Sequence, residues 1–250
     1  MLRTAVLAVS LAAVAAIAQD PPPRVADLVA RNSYTFTFSE ATLRGTGADF
    51  LRSQTAGAQF VLLGEDHMDH ATPLFAGALF RMLHDAHGYR HLVVEQDPVA
   101  IEDALQPDVR GHAERIAVHA RRYPSLYEFD TDEDLAFLAQ VGSLVAGSDA
   151  IWGVEQATGA VRYLEELVAL APDAAARDRA TALLAAARAA DPGPRYSVNW
   201  LAAATTADDL AGLAAIYPAP AGSRPARLIE GLAKSAEIFG YYRRAEAGEY

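Results

Sequence analysis

Three short apolar runs, each closing on a glutamate, constrain this chain most: FVLLGE at 60–65, HLVVEQ at 91–96 and IWGVEQ at 151–156. A brief continuous apolar run bounded by polar residues is the pattern of a strand buried on both faces of a sheet. Stretches of helical periodicity separate the runs. In ATPLFAGALFRMLHDAHG, Thr72 suits an N-cap, Pro73 the first helical turn and Gly88 the C-cap. Leu74, Phe75, Ala78, Leu79, Met82 and Leu83 fall on one face. Asp97-Pro98 opens a short helix that ends near Pro107. GHAERIAVHARR, TDEDLAFLAQVGSLVAG and TGAVRYLEELVALA read as further helices, the second with acids where the helix dipole favours them.

Strand, helix, strand, helices, strand, helix predicts an α/β fold: a parallel sheet with right-handed crossover helices. Beyond Pro172 every segment reads as helix, broken at DPGP and YPAPAGSRP. The expected organisation is an α/β core over 19–172 carrying the site and an extended C-terminal helical subdomain over 173–250. The abundant alanine supports helices but fits either face, which weakens periodicity as a guide to packing.

The N-terminus, MLRTAVLAVSLAAVAAIAQD, has a basic residue at Arg3, an apolar stretch from Thr4 to Ala16 and a small-x-small site at Ala16-Ile17-Ala18. This is the pattern of a secretory signal peptide, residues 1–18, cleaved after Ala18. The apolar stretch is short for a membrane span. The mature protein is expected to be secreted or periplasmic, with no stable span after cleavage. The 250 residues include no cysteine, so disulfides, thiolate ligands and cysteine nucleophiles are excluded. A formal net charge of −11 argues against nucleic acid or an anionic membrane as partner, leaving a small-molecule or peptide substrate.

In open α/β sheets ligands bind outside the carboxyl ends of the strands. There the three runs place Glu65, Glu95 and Glu155, and the first adds Asp66, His67, Asp69 and His70. Carboxylates gathered on one rim cannot all ionise freely: one is driven to hold its proton, or a cation joins them. The first outcome supports general acid–base catalysis on a bound water by Glu65, His67, Glu95 and Glu155. The second suits a divalent metal (zinc, manganese or iron) held by Glu65, His67 and Glu95. The alternative for each glutamate is an ordinary polar strand end. Gly64 would let the backbone approach a ligand, which favours Glu65 and His67. Asp69 and His70 read as residues of the helix start.

Other polar features carry less. His84 and His87 sit late in a helix, where a cation is favourable. His91 precedes its run, at the opposite rim. His112 and His119 suit a solvated helix face, and RRYP at 121–124 an ordinary surface loop. DTDEDL lacks the glycine and the terminal glutamate of a calcium loop and reads as a helix start. No G-x-S-x-G elbow or P-loop is present, and RGTGADF lacks the third glycine of a dinucleotide fingerprint.

VLLGEDHMDHATPLF, followed by LVVEQDP, resembles the superfamily that joins erythromycin esterases, ChaN-like haem-uptake proteins and TraB/Tiki proteases. Gly64, Glu65 and His67 match its Gly-Glu-x-His opening and Glu95 its later acid; the resemblance spans about 60–167. It implies an α/β sheet with helical insertions and a site at this motif. It leaves open a water-activating esterase, a metal-dependent protease and a haem-binding protein. These families carry a second histidine motif toward the C-terminus, whereas here no histidine follows His119. A chain truncated within a helix, or a degenerate site with only a structural role, would account for that. The leading expectation is an extracytoplasmic hydrolase; the alternative is a non-catalytic haem- or metal-binding protein, for which His67 and His70 are the motivation.

Overall fold

The computed structural model describes residues 24–39, 41–122, 126, 129–145, 147, 150–191 and 198–249. The signal sequence with its cleavage site after Ala18 lies outside the described residues, as do Tyr123 and Pro124 of RRYP.

The elements run α1 (Val25–Asn32), β1 (Thr37–Ser39), β2 (Thr42–Arg44), α2 (Thr46–Thr55), α3 (Ala71–His87), β3 (Leu92–Val94), α4 (Pro98–Ala104), α5 (Ala113–Arg122), α6 (Asp132–Leu144) and β4 (Ile151–Gly153). Then follow α7 (Ala160–Ala169), α8 (Ala174–Ala190), α9 (Val198–Leu201), α10 (Thr206–Ile216) and α11 (Arg224–Glu246).

Local signals set several helix ends. Asp69 caps α3, its carboxylate accepting the Thr72 backbone N–H at 2.8 Å and the Thr72 hydroxyl at 2.7 Å. Gly88 ends that helix at φ 74°, its N–H returning to the His84 carbonyl. Between them α3 buries Ala78, Leu79, Met82 and Leu83, the face its periodicity predicts, with Phe80 beside it. Thr131 and Asp134 form a reciprocal capping box before α6, so DTDEDL is a helix start.

The parallel α/β sheet expected from the three runs is not what forms. Of the described residues 61% are helical and 6% lie in strands. The strands make two sheets of two: β1 and β2 pair antiparallel, and β3 and β4 pair parallel with Val93 opposite Trp152. The first run, 60–64, is not a strand. Its residues lie on the surface, Phe60 at 77% exposure and Leu62 at 95%, and no ladder joins them to β3. The physical reason is that a short apolar run reports hydrophobicity, not pairing. A strand exists only where a neighbour takes its backbone groups. The alanine-rich remainder meets those needs within helices.

Three apolar cores result. The first packs β2 and α2 on α3 through Leu43, Ala48, Leu79 and Met82. The second joins α4, α5, α6 and the small parallel sheet through Ile101, Ile116, Leu138, Val141 and Ile151. The third gathers α7 to α11 and begins at Ala157, with Tyr163, Leu167, Leu201, Leu213 and Leu232 fully enclosed. It reaches back to Val99 of α4.

Ion pairs tie α4 to that third core. Arg224 grips Glu166 through two nitrogens at 2.7 and 2.9 Å and also reaches Glu102 at 2.8 Å and Asp103 at 3.0 Å. Arg162 pairs with Asp103, and Arg227 with Glu102 at 2.6 Å. These carboxylates outweigh the desolvation of Arg224 and hold its guanidinium more firmly protonated than in water.

Candidate active site

The small parallel sheet positions two of the three glutamates. Its ladder continues past β3 and β4: the Val154 N–H donates to the Val94 carbonyl at 3.1 Å, and the Glu155 N–H to the Gln96 carbonyl at 3.0 Å. This register brings the two VEQ tripeptides side by side. Gly153 makes the approach possible, because a Cβ there would stand 2.4 Å from the Gln96 carbonyl oxygen and 2.8 Å from Pro98 Cα. Both obstacles are backbone, so a larger residue meets a wall rather than a movable side chain.

Glu95 and Glu155 are consequently neighbours, and Glu155 is held above the ordinary carboxylate range. Burial is the main cause; the neighbouring Glu95 carboxylate adds to it. The Gln156 N–H, 2.8 Å from Glu155 Oε1, works the other way by favouring the anion. A close carboxylate pair of this kind retains one proton to higher pH than either acid alone would.

The GEDHMDH turn supplies the third glutamate. Glu65 Oε1 lies 3.1 Å from His67 Nδ1. That contact orients the imidazole. Met68 turns the chain at φ 63°, a left-handed conformation uncommon for a residue with a side chain. Asp69 faces α3 as its cap, and Thr72 bonding holds its carboxylate below the ordinary range. His70 Nδ1 lies 2.8 Å from Glu133 of α6. Asp69 therefore serves the helix start, whereas the His70 side chain bridges to α6.

Glu65 and Glu95 open onto one cavity of about 900 Å³. The 58–66 segment forms one side, α3 the floor through Leu79, Phe80 and Leu83, and β3 the far wall through Leu92 and Val94, with Phe129 and Phe137 beyond. A volume of this size suits a drug-sized ligand. The apolar stretch 60–63 is thus a cavity wall, with Val61 and Leu63 among its lining.

Among the described residues no group of three or more histidine, aspartate or glutamate side chains is placed to hold a metal ion. Glu65 and His67 form one pair and Glu95 and Glu155 another. The imidazoles proposed for haem each meet a carboxylate, His67 that of Glu65 at 3.1 Å and His70 that of Glu133 at 2.8 Å.

Sequence reasoning missed Gly153, whose signal was the glycine inside an otherwise bulky apolar run. It also missed that Asp97, read as a helix opener, is a buried anchor. Asp97 caps α4 by accepting the Val99 and Ala100 N–H groups at 2.7 and 3.2 Å, and its Oδ1 takes the Tyr163 hydroxyl at 2.7 Å. This fixes the turn immediately after Glu95.

No protein-family model matches this chain, and neither a curated protein nor a solved structure is significantly similar to it. Among the described residues no helix is long and apolar enough to cross a membrane.

Proposed function

We propose that this chain is an exported hydrolase that activates water with two side-chain pairs, Glu65–His67 and Glu95–Glu155, each of which lends one glutamate to the lining of the apolar cavity. The observation that carries this reading is that Glu65 and Glu95, one from each pair, line the same cavity. His67, oriented by Glu65, takes a proton from water as the water attacks the carbonyl carbon of an ester or amide. The Glu95–Glu155 pair gives its retained proton to the leaving oxygen or nitrogen as the carbonyl–heteroatom bond breaks. The proton then returns from the imidazolium to the carboxylate pair. Poising an acid and a base in different environments is how one site performs both tasks near neutral pH.

Membership in the erythromycin esterase, ChaN-like and TraB/Tiki superfamily is part of the proposal. Gly64, Glu65, His67 and Glu95 support it; the sheet that the resemblance implies does not form. Export after cleavage at Ala18 is likewise proposed, on the N-terminal pattern alone.

The test is a panel of chromogenic esters and amides assayed with the wild-type chain, His67→Ala and Glu155→Gln. Hydrolysis by wild type and a loss of about a hundredfold or more in both variants is expected. Wild-type rates in both variants, or no hydrolysis of any member by wild type, would overturn the reading.

A further inference from the structure

The cavity is electrically polarised along β3. Downstream of the strand its lining carries Glu65, Asp66 and Glu95; upstream it carries Arg90 and His91. Five residue steps separate Arg90 from Glu95, at most about 16 Å along an extended chain. The wall between is apolar, built from α3 and β3 side chains.

The upstream end is suited to an anion. Arg90 is exposed and makes no ion pair or hydrogen bond among the described residues. His91 is steadied by its neighbour Trp152, ring centroids 5.2 Å apart. Two of the carbonyls near the adjacent end of α3, which would repel an anion, are engaged. The Gly88 N–H takes that of His84 at 3.0 Å and the Tyr89 N–H that of Leu83 at 3.3 Å. The downstream end, rich in carboxylates, rejects the same charge.

We propose that the cavity takes an elongated anionic amphiphile, an acyl or alkyl chain lying along β3 with its anionic group at Arg90. Its other end then reaches the carboxylate pairs. This deepens the hydrolytic reading by naming the substrate class, and rests on it only for the bond placed at Glu95. Binding stands independently.

The probe is dansyl-undecanoic acid, whose carboxylate and fluorophore occupy opposite ends of an alkyl chain. Its methyl ester serves as the neutral control and dodecyltrimethylammonium as the cationic competitor. Dansyl emission should rise on addition of the protein, with affinity for the acid about tenfold above that for the ester. Arg90→Glu should abolish that preference; circular dichroism of this exposed-site variant checks the fold. Ala76→Trp, which fills the cavity from α3, should weaken both ligands. Equal binding of acid and ester, an Arg90→Glu variant that still prefers the acid, stronger displacement by the cation, or no binding at all would each overturn the proposal. Haemin displacing the probe without any chain-length dependence among fatty acids would overturn the linear ligand. Probe binding with no ester hydrolysis removes the catalytic reading and leaves this one. Hydrolysis that Glu155→Gln destroys, with no probe binding, removes this one alone.

Discussion

Replacing Tyr163 by phenylalanine removes one oxygen and almost no volume, at a site where the structure sets the consequence. Tyr163 is 1% exposed and Asp97 3%. The lost hydroxyl is one of three donors to the Asp97 carboxylate, at 2.7 Å, the others being the Val99 and Ala100 N–H groups. A hydrogen bond to a charged, buried group is worth about 1.5–3 kcal/mol, and a neutral one nearer 1 kcal/mol. Burial already pushes the Asp97 carboxyl up, with the Tyr163 hydroxyl and the Arg162 charge working against that rise. Removing the hydroxyl raises it further. The sign follows: the folded carboxyl binds its proton more readily than the unfolded one, so its contribution to stability falls as pH rises through the folded titration. The variant steepens that fall. Its penalty should therefore be largest at about pH 7, near 2 kcal/mol, and shrink toward about 1 kcal/mol near pH 4. Urea unfolding of both proteins at the two pH values, with unchanged m-values, is the assay. A penalty below about 0.5 kcal/mol at neutral pH, or one that grows on acidification, would refute the reasoning.

Arg224→Met leaves Glu166 without its two-pronged partner while Arg162 and Arg227 still hold Asp103 and Glu102; urea unfolding should show a loss of about 2–4 kcal/mol, and a loss under 1 kcal/mol would contradict the network. Gly153→Ala should cost about 1–3 kcal/mol by the same assay, because a methyl group there meets the Gln96 and Pro98 backbone. An unchanged melting temperature would show that the two VEQ segments need no such approach. Thr131→Ala removes the cap hydroxyl from the α6 capping box, and thermal unfolding should report a loss of about 1 kcal/mol, against none if the box is idle.

What the sequence made legible was local. The end of α3 at Gly88, the start of α6 and the opening of α4 at Asp97-Pro98 follow from residues within four positions of one another and form as the caps predict, whereas α3 begins at Ala71 rather than after an N-cap at Thr72. The Glu65–His67 contact is of the same kind, two residues apart. The repeated VEQ ending pointed to Glu95 and Glu155 as neighbours, because equal strand ends in a parallel pair lie side by side. The first run misled because FVLLG has the composition of a buried strand whether or not a strand lies beside it. Its place as a cavity wall depends on the spacing of α3 and β3, which no window of the sequence contains. The grip of Arg224 on Glu102 and Asp103 joins residues more than a hundred positions apart, and one arginine among many gives no sign of it. The same holds for Tyr163 and Asp97.

The proposed site depends most on the proton that Glu155 holds beside Glu95. Carbon-13 NMR titration of the glutamate side-chain carboxyls, assigned through Glu95→Gln and Glu155→Gln, measures it with no substrate required. Glu155 is expected to titrate above the ordinary value of 4.5 and to move back toward it in Glu95→Gln, where the neighbouring charge is gone. Two carboxyls that titrate independently, with Glu155 unmoved by the Glu95 substitution, would contradict it.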